Sequence, residues 1–406
     1  MHCAPRLGCS YDAFGDQRTQ IRGGVGVYTS RQPFVWPGGM FLNNGVRSGE
    51  VSNFGPNPLV PDASQGGLTV ATVPGSDRTE ADLIPSGRLE MFEEDYKLPR
   101  FLRYSLGIDQ QLPGGFIGTL EGQYTNTLQN ILVTNVNLLP ANETLDGPDE
   151  RPIWIASDYD NSSVGPNSSD QFIDSRYSNI HRVGNTDRGY AYDVTARLRN
   201  TFERVLGLDN AVGMDVSYTY GRSFVVNDGT SSQINSLWDG VEHVNGANNV
   251  GLSESDFSIG HRVLARFNYR QQFGNNLAAR LSLVYTGESG RPFSYVIGNS
   301  DDMVGENGDP NSLFYVPRTA TELSFSEVTI DEATISPAQQ AAAVDEFIAQ
   351  SDYLSRLRGE YADRNGDRTP WEGVLDLNLA VEVFGDLVGS RQQKLEITAN
   401  IFNFSS

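Results

Sequence analysis

Few residues of this 406-residue chain could carry out catalysis or bind a metal ion. Its four histidines are His2, His181, His243 and His261, and none has the spacing to another histidine or to a cysteine that a zinc site requires. We therefore interpret each as an ordinary polar residue of a surface or a polar strand face. The histidines give no reason to predict a metal centre or a bound cofactor.

Two short glycine-containing segments resemble catalytic or nucleotide-binding motifs only in part. Residues 287–290 (GESG) lack the second spacer of the G-x-S-x-G turn that exposes the nucleophile of a serine hydrolase. Residues 24–26 (GVG) have no third glycine where a dinucleotide fingerprint would place it, and they lie within a predicted strand. The sequence therefore does not predict an enzyme.

Two acidic loop segments are the best candidates for a cation site, because Ca²⁺ prefers several oxygen ligands from one flexible loop. They are residues 301–309 and residues 363–367, and neither matches an EF-hand, since position 12 counted from Asp363 is Val374 rather than glutamate. A solvated acidic loop is the favoured interpretation of both. The weak Ca²⁺ candidates are Asp301, Asp302, Asp309, Asp363 and Asp367.

The overall composition excludes several classes of protein. With 51 acidic and 30 basic residues the chain has a formal charge of −21, which argues against a nucleic-acid partner. A mean hydropathy of −0.38 and the lack of an apolar run of about 18 residues exclude a membrane-spanning helix. They leave a membrane β-barrel possible, because its strands alternate in polarity. The two cysteines, Cys3 and Cys9, predict no disulfide, because six residues of extended chain span roughly 20 Å and a disulfide needs Cα atoms within about 7 Å.

Alternation of apolar and polar residues is the dominant pattern. It is clearest where Leu102, Tyr104, Leu106 and Ile108 alternate with polar residues up to a turn at residues 113–115 (PGG). The pattern predicts an all-β chain with about ten strands of ten or more residues, joined in antiparallel hairpins. The five predicted hairpins span residues 4–30, 99–127, 188–225, 260–290 and 371–404.

Four long connections separate the hairpins, at residues 31–98, 128–187, 226–259 and 291–370. Short turns at one end of the strands and long loops at the other are typical of outer-membrane barrels. These four connections hold 37 acidic and 14 basic residues, a net charge of −23, whereas the rest of the chain carries +2. The last connection also predicts a helix that starts at Pro337 after a Ser336 cap and extends towards Leu357. We therefore predict an incomplete transmembrane β-barrel with acidic extracellular loops.

The polar faces of the predicted strands are rich in charge. In a barrel they would face the lumen, where they contact either a substrate path and an internal plug or only water, and composition leaves both possibilities open. Period-two alternation also occurs in soluble sandwiches, propellers and solenoids, so a soluble secreted β-protein remains an alternative. The lumen-facing candidates are Arg103, Asp109, Glu121, Arg197, Arg199, Arg262, Arg266 and Arg280.

Four segments, in order, resemble the barrel of TonB-dependent outer-membrane receptors. They are residues 103–115 (RYSLGIDQQLPGG), 285–295 (YTGESGRPFSY), 364–371 (RNGDRTPW) and 401–404 (IFNF). The resemblance covers essentially the whole chain and is greatest to the Oar-like group, whose members carry an upstream carboxypeptidase-regulatory-like domain. Such receptors reside in the outer membrane of Gram-negative bacteria.

The resemblance implies a receptor that captures a ligand at its extracellular loops and imports it past a plug. The implied partners are outer-membrane lipid, the plug domain, the TonB energising complex and an unidentified extracellular ligand. Ten strands are fewer than the roughly 22 of plugged transporters. We therefore expect residues 1–406 to be a partial barrel that lacks the plug and the N-terminal domains. A barrel that serves in adhesion or binding without transport is the alternative.

Overall fold

The structure is a computed structural model. It describes residues 4–42, 87–154, 171–175, 177–297, 303–306, 311–330, 333–385 and 393–404. Ten long strands follow one another in a single sheet, in which each strand pairs antiparallel with the strand before and the strand after it. They are β1 (Arg6–Asp12), β2 (Thr19–Thr29), β3 (Arg100–Gln111), β4 (Ile117–Asn135), β5 (Gly189–Glu203), β6 (Asn210–Val225), β7 (Gly260–Phe273), β8 (Leu277–Glu288), β9 (Glu372–Gly385) and β10 (Gln393–Ile401).

This meander confirms the predicted all-β fold of ten strands in five hairpins. The connections within the hairpins are short, and those between hairpins all leave from the opposite end of the sheet. Within the described residues β1 and β10 pair only with their inner neighbours. In that same part of the chain, no helix is long and apolar enough to cross a membrane.

The register of the strands separates two faces across the whole sheet. Residues paired directly across strands lie on the same face, so one row runs through Ile21, Ile108, Leu120, Ala196 and Tyr218. Side chains in such rows are unusually exposed for apolar residues, with 65% exposure at Leu106 and 52% at Leu120. We call this side the apolar face and the other the polar face. Cys9 pairs with Gly23 on the apolar face and is a free, exposed thiol.

β4 is longer than the sequence pattern predicts. The predicted hairpin ends at residue 127, whereas β4 continues to Asn135. Its last residues pair with the strand Tyr177–Thr186, which also pairs in parallel with Gly87–Phe92. Alternation did not show this extension because Ile131 and Val133 are buried on one side by other connections rather than exposed.

The remaining elements lie in the long connections, apart from two 3₁₀ turns, Pro113–Gly115 and Val205–Gly207, which lie in the short turns of the hairpins. The helices are α1 (Val35–Leu42), α2 (Ile234–Trp238) and α3 (Pro337–Gln350), and single 3₁₀ turns occur at Pro113–Gly115, Val205–Gly207, Ala247–Asn249, Ala320–Glu322 and Leu354–Leu357. The short strands are Glu143–Thr144, Pro152–Ile153, Ser253–Glu254, Pro292–Phe293, Tyr315–Val316, Val328–Ile330, Ala333–Ile335, Glu360–Tyr361 and Asp367–Arg368.

α3 begins where the sequence predicts and ends earlier. The Ser336 side chain accepts a hydrogen bond from the Gln339 backbone N–H, and the Ser336 backbone N–H donates to the Gln339 side-chain oxygen, which forms a capping box. The helix ends at Gln350, and a separate 3₁₀ turn, Leu354–Leu357, follows. This break lets Ile348 and Leu354 enter the same small core.

Replacing Ser336 by alanine should fray the first turn of α3. Loss of an N-cap costs about 1 kcal/mol, which corresponds to roughly fivefold faster hydrogen exchange at the first helical amides. Exchange mass spectrometry of a peptide covering residues 336–341 measures this. Ser355→Ala, in the neighbouring 3₁₀ turn, is the control. Unchanged exchange in the first variant would mean that packing alone holds the helix start.

Candidate binding site: the polar face and the loop layer

The eight charged residues predicted to face a lumen share the polar face. One row of direct partners runs from Asp109 through Thr119 and Arg197 to Ser217. A second row places Arg199, Asp215 and Arg266 side by side on adjacent strands. The other predicted members of this face are Arg103, Glu121, Arg262 and Arg280, each with a direct partner on the same side.

Ion pairs connect these residues across strands. The Arg22 guanidinium lies 3.2 Å from an Asp109 oxygen and 2.7 Å from a Glu121 oxygen. It extends over Gly107, where an added Cβ would come within 3.3 Å of the guanidinium, so glycine keeps this space open. Thr119 donates a hydrogen bond of 2.6 Å to Asp109. The pairs are partly exposed, so each one orders side chains more than it stabilises the fold.

Further ion pairs continue across β5 to β10. Arg197 forms a bidentate pair with Asp215, and Arg262 lies 3.5 Å from Glu288. Near the short turns, Glu382 is only 3% exposed and forms ion pairs with Arg270, Arg280 and Lys394. Arg280 and Lys394 also pair with Glu396, at 2.6 Å and 2.9 Å. The polar face is therefore a network of paired charges.

Arg103 differs from these residues because no carboxylate of the described residues lies within ion-pair distance of it. It donates to the Thr125 hydroxyl at 3.2 Å, and its guanidinium lies 5.3 Å from the centroid of the Tyr28 ring. Arg6 contacts the same ring at 4.4 Å. Two cations therefore share one aromatic ring at the edge of the sheet.

The long connections form a folded unit, which we call the loop layer: the described residues of 30–42, 87–99, 136–188, 226–259 and 289–371. Its main core is built around three tryptophans that are at most 5% exposed, Trp36, Trp154 and Trp238, together with the buried end of β4. A smaller core contains Val316, Ile348, Leu354 and Ala362. The loops are therefore packed against one another and are not simply solvated chain.

Polar side chains close the main core. The Trp238 indole N–H donates to the Asn248 side-chain oxygen at 2.8 Å, and the Asn248 amide donates to the Asn135 carbonyl at 2.9 Å. Buried polar groups cost free energy unless they are hydrogen-bonded, so these bonds fix the position of residues 247–249 on the end of β4. The His181 ring lies against Trp238 at a tilt of 48°, with 5.2 Å between the ring centroids, and burial, with a smaller effect of Arg88, lowers the pKa of His181 to about 3.

The carboxylate of Glu254 joins the loop layer to the C-terminal end of β6, near Val225. It is 7% exposed and accepts hydrogen bonds from Arg222, Arg368 and Ser258. Burial alone would raise the pKa of Glu254, but the three hydrogen bonds hold it below its usual value. Glu254 is therefore ionised at neutral pH and holds two arginines from separate parts of the chain.

The segment 364–371 wraps around this carboxylate. The Arg364 guanidinium donates to the carbonyls of Val225 and Val226 at 2.6 Å and 2.7 Å, and the Asn365 amide donates to the Glu254 carbonyl at 2.9 Å. A Cβ at Gly366 would collide with the Tyr353 hydroxyl, so only glycine fits there. This segment is therefore a clasp that fastens two long connections to the sheet.

Two buried polar contacts link the other connections. The Asp149 carboxylate accepts from the Arg151 Nε at 2.9 Å and from the Tyr361 hydroxyl at 3.0 Å. Burial and this hydrogen bond raise the pKa of Tyr361 to about 12. The His243 Nε2 lies 2.7 Å from a Glu306 oxygen, and both side chains are at most 2% exposed.

The described Ca²⁺ candidates contact tyrosines. Asp367 accepts a hydrogen bond of 3.1 Å from the Tyr295 hydroxyl, and the Tyr353 hydroxyl lies 3.4 Å from an Asp363 oxygen. In the part of the chain that the structure describes, no three histidine, cysteine, aspartate or glutamate side chains are grouped as a metal site would need. Asp301, Asp302 and Asp309 lie outside the described residues.

A family model for the outer membrane beta barrel domain matches residues 1–405, and the chain belongs to this family. It is therefore an outer-membrane protein, and its exposed apolar face meets lipid. A search of curated proteins finds no match.

Three solved structures resemble the chain weakly. The outer membrane transporter YddB from Escherichia coli is 12% identical, with a TM-score of 0.47, over 99% of this chain and 36% of that one. The FrpB iron transporter from Neisseria meningitidis is 7% identical, with a TM-score of 0.32, over 98% and 41%. FpvAI in its complex with pyocin S2 is 10% identical, with a TM-score of 0.25, over 98% and 50%. The chain thus spans between about a third and half of these proteins.

Leu106→Arg should impair assembly in the membrane, because this side chain is on the apolar face in the middle of β3. An arginine facing lipid near the bilayer midplane costs about 2–4 kcal/mol. Urea titration of refolding into lipid vesicles should therefore show a lower midpoint. Gln123→Arg, on the polar face of β4, is the matched control and should refold normally. Equal behaviour of the two variants would contradict the assignment of the faces.

Glu254→Gln should loosen the clasp, since it leaves two partly buried arginines without their carboxylate. We expect a cost of about 3 kcal/mol, or roughly a hundredfold faster hydrogen exchange in residues 253–258 and 364–371. Glu360→Gln, an exposed carboxylate outside the clasp, is the control.

The same carboxylate predicts a pH dependence of the clasp. Because the folded pKa of Glu254 lies below its unfolded value near 4.5, its contribution is complete above about pH 4.5 and is lost as the pH falls through the folded pKa. As the pH falls below about 4.5, the difference in exchange between the wild type and Glu254→Gln, compared at each pH, should therefore shrink. A difference that grows as the pH falls would contradict this.

Proposed function

We propose that this chain is part of the barrel of a TonB-dependent receptor of the Oar-like group, which captures an extracellular ligand and imports it past a plug. The observation that carries the proposal is the loop layer: all four long connections leave one end of the sheet and fold together around two cores. A ligand site needs side chains held in place, and the buried tryptophans and ion pairs hold them. The role is binding and transport, not catalysis.

In this proposal residues 1–406 are one section of a larger barrel. The polar face lines the lumen, and the plug and N-terminal domains belong to the rest of the receptor. The paired charges on that face suit a wall that borders a plug, since paired side chains leave few free charges to trap a passing ligand. The TonB energising complex acts through the N-terminal part. The long connections with their net charge of −23 then face the outside of the cell.

Comparing the solutes that intact cells remove from their medium tests the proposal. Wild-type cells, cells without this gene and cells without the inner-membrane energising complex are grown side by side, and the spent media are compared by mass spectrometry. We expect at least one solute to remain in the medium of both deletion strains. Re-expression of the gene in its own deletion strain should restore uptake.

Adhesion or binding without transport is the second candidate, and the rigidity of the loop layer favours it. The clasp around Glu254 fixes loop and sheet together, as a surface receptor requires. It predicts that loss of the energising complex changes nothing, whereas loss of the gene reduces attachment of cells to a surface. That result, with no gene-dependent uptake, would overturn the transport proposal.

A further inference from the structure

A pocket of about 250 Å³ opens in the loop layer between two of the long connections. One wall comes from residues 242–253, and the other comes from Leu313 and residues 361–364. Two hydrogen bonds to backbone carbonyls join the walls. The Leu313 N–H donates to the His243 carbonyl at 2.8 Å, and the Ser253 hydroxyl donates to the Arg364 carbonyl. The pocket is therefore preformed.

Its polar lining is rich in hydrogen-bond acceptors. Glu242 is half-buried, and its carboxylate has no hydrogen-bond or ion-pair partner among the described residues. His243 is 4% exposed; its Nε2 lies 2.7 Å from a Glu306 oxygen, and its buried Nδ1 has no partner in the described part of the chain. An exposed carboxylate, Asp363, completes this set.

One arginine, Arg364, lines the pocket, and its single positive charge does not neutralise the two carboxylates of Glu242 and Asp363. Arg364 is 6% exposed, and its two terminal nitrogens donate to the carbonyls of Val225 and Val226. The carboxylates of Glu242, Asp228 and Asp256 all interact electrostatically with Arg364. No carboxylate of the described residues lies within ion-pair distance of it. The pocket therefore keeps a net negative charge.

Apolar groups form the rest of the lining. Val250 is 9% exposed and Leu313 6%, and both border the pocket together with Leu252 and the Tyr361 side of the opposite wall. Small-molecule sites commonly combine such apolar walls with a few polar groups that orient the ligand. A volume of about 250 Å³ suits a ligand of roughly a dozen non-hydrogen atoms.

We propose that this pocket binds a small organic cation, with an ammonium or guanidinium group held by Glu242 and an apolar body against Val250 and Leu313. The Glu242 carboxylate selects the charge, and the net charge of −23 on the long connections concentrates cations near the pocket. The inference rests on the proposed exposure of the loop layer to the outside of the cell. It does not require import, because binding needs no energising complex.

Three probes of similar size test it: benzylamine, benzyl alcohol and benzoate, which share a phenyl ring and carry a positive charge, no charge and a negative charge at neutral pH. Their affinities for the full-length protein in detergent are measured by saturation-transfer NMR. We expect benzylamine to bind at least about tenfold more tightly than benzyl alcohol, which is the size of one charge-assisted hydrogen bond, and benzoate not to bind. Raising the salt concentration should weaken only benzylamine binding.

Two variants and one control assign the effect to the pocket. Glu242→Gln should reduce benzylamine affinity to that of benzyl alcohol, whereas Glu346→Gln, on the exposed surface of α3, should leave it unchanged. Leu252→Trp should fill the pocket and abolish binding of both probes. Equal affinities for benzylamine and benzyl alcohol, or a Leu252→Trp variant that still binds benzylamine, would overturn the inference. Neither outcome depends on whether the protein transports a ligand.

Discussion

The strand register that keeps the two faces of the sheet separate is the constraint on which the rest of the structure depends. Nine antiparallel pairings carry the same alternation from β1 to β10, so a one-residue slip anywhere would exchange the two faces. The row through Ile108 and Leu120 stays apolar, and the row through Asp109 and Arg197 stays charged. Lipid contact on one side and paired charge on the other both follow from this one property. In a membrane the backbone has no water to bond with, so the continuous ladder is also an energetic necessity.

Charge has a different role in each part of the molecule. On the polar face, Arg22 and Glu382 each contact more than one opposite charge, which keeps a wall with many arginines close to neutral. In the loop layer, individual carboxylates such as Glu254 and Asp149 are buried and hold arginines and tyrosines in place. Part of the acidity of the long connections therefore serves their folding, and the remainder, including Glu242, is left for solvent or a ligand.

Sequence patterns predicted the strands well because alternation is local. The hairpin turns, the Ser336 cap and the shared face of the eight charged residues all follow from period-two or capping signals within a few residues. The loop layer could not be predicted in this way. Trp36, Trp154 and Trp238 come from three connections and meet only in the folded chain, and the sequence around Glu254 carries no periodic signal. The clasp segment, residues 364–371, is one of the four segments that resemble the receptor family, whereas no sequence pattern indicates the carboxylate that it surrounds, Glu254.

The extension of β4 has a mechanical consequence. From Ile117 to Asn135 this is one strand, paired with β3 and β5 over its first part and with Tyr177–Thr186 from Asn130 onwards. The pairing with β3 shifts register between Thr127 and Gln129, so Leu128 forms a bulge between the two parts. A bulge bends a strand and disrupts its ladder locally. The wall and the loop layer therefore share one strand, and residues 127–129 are the point at which a tilt of the wall is taken up before it reaches the tryptophan core.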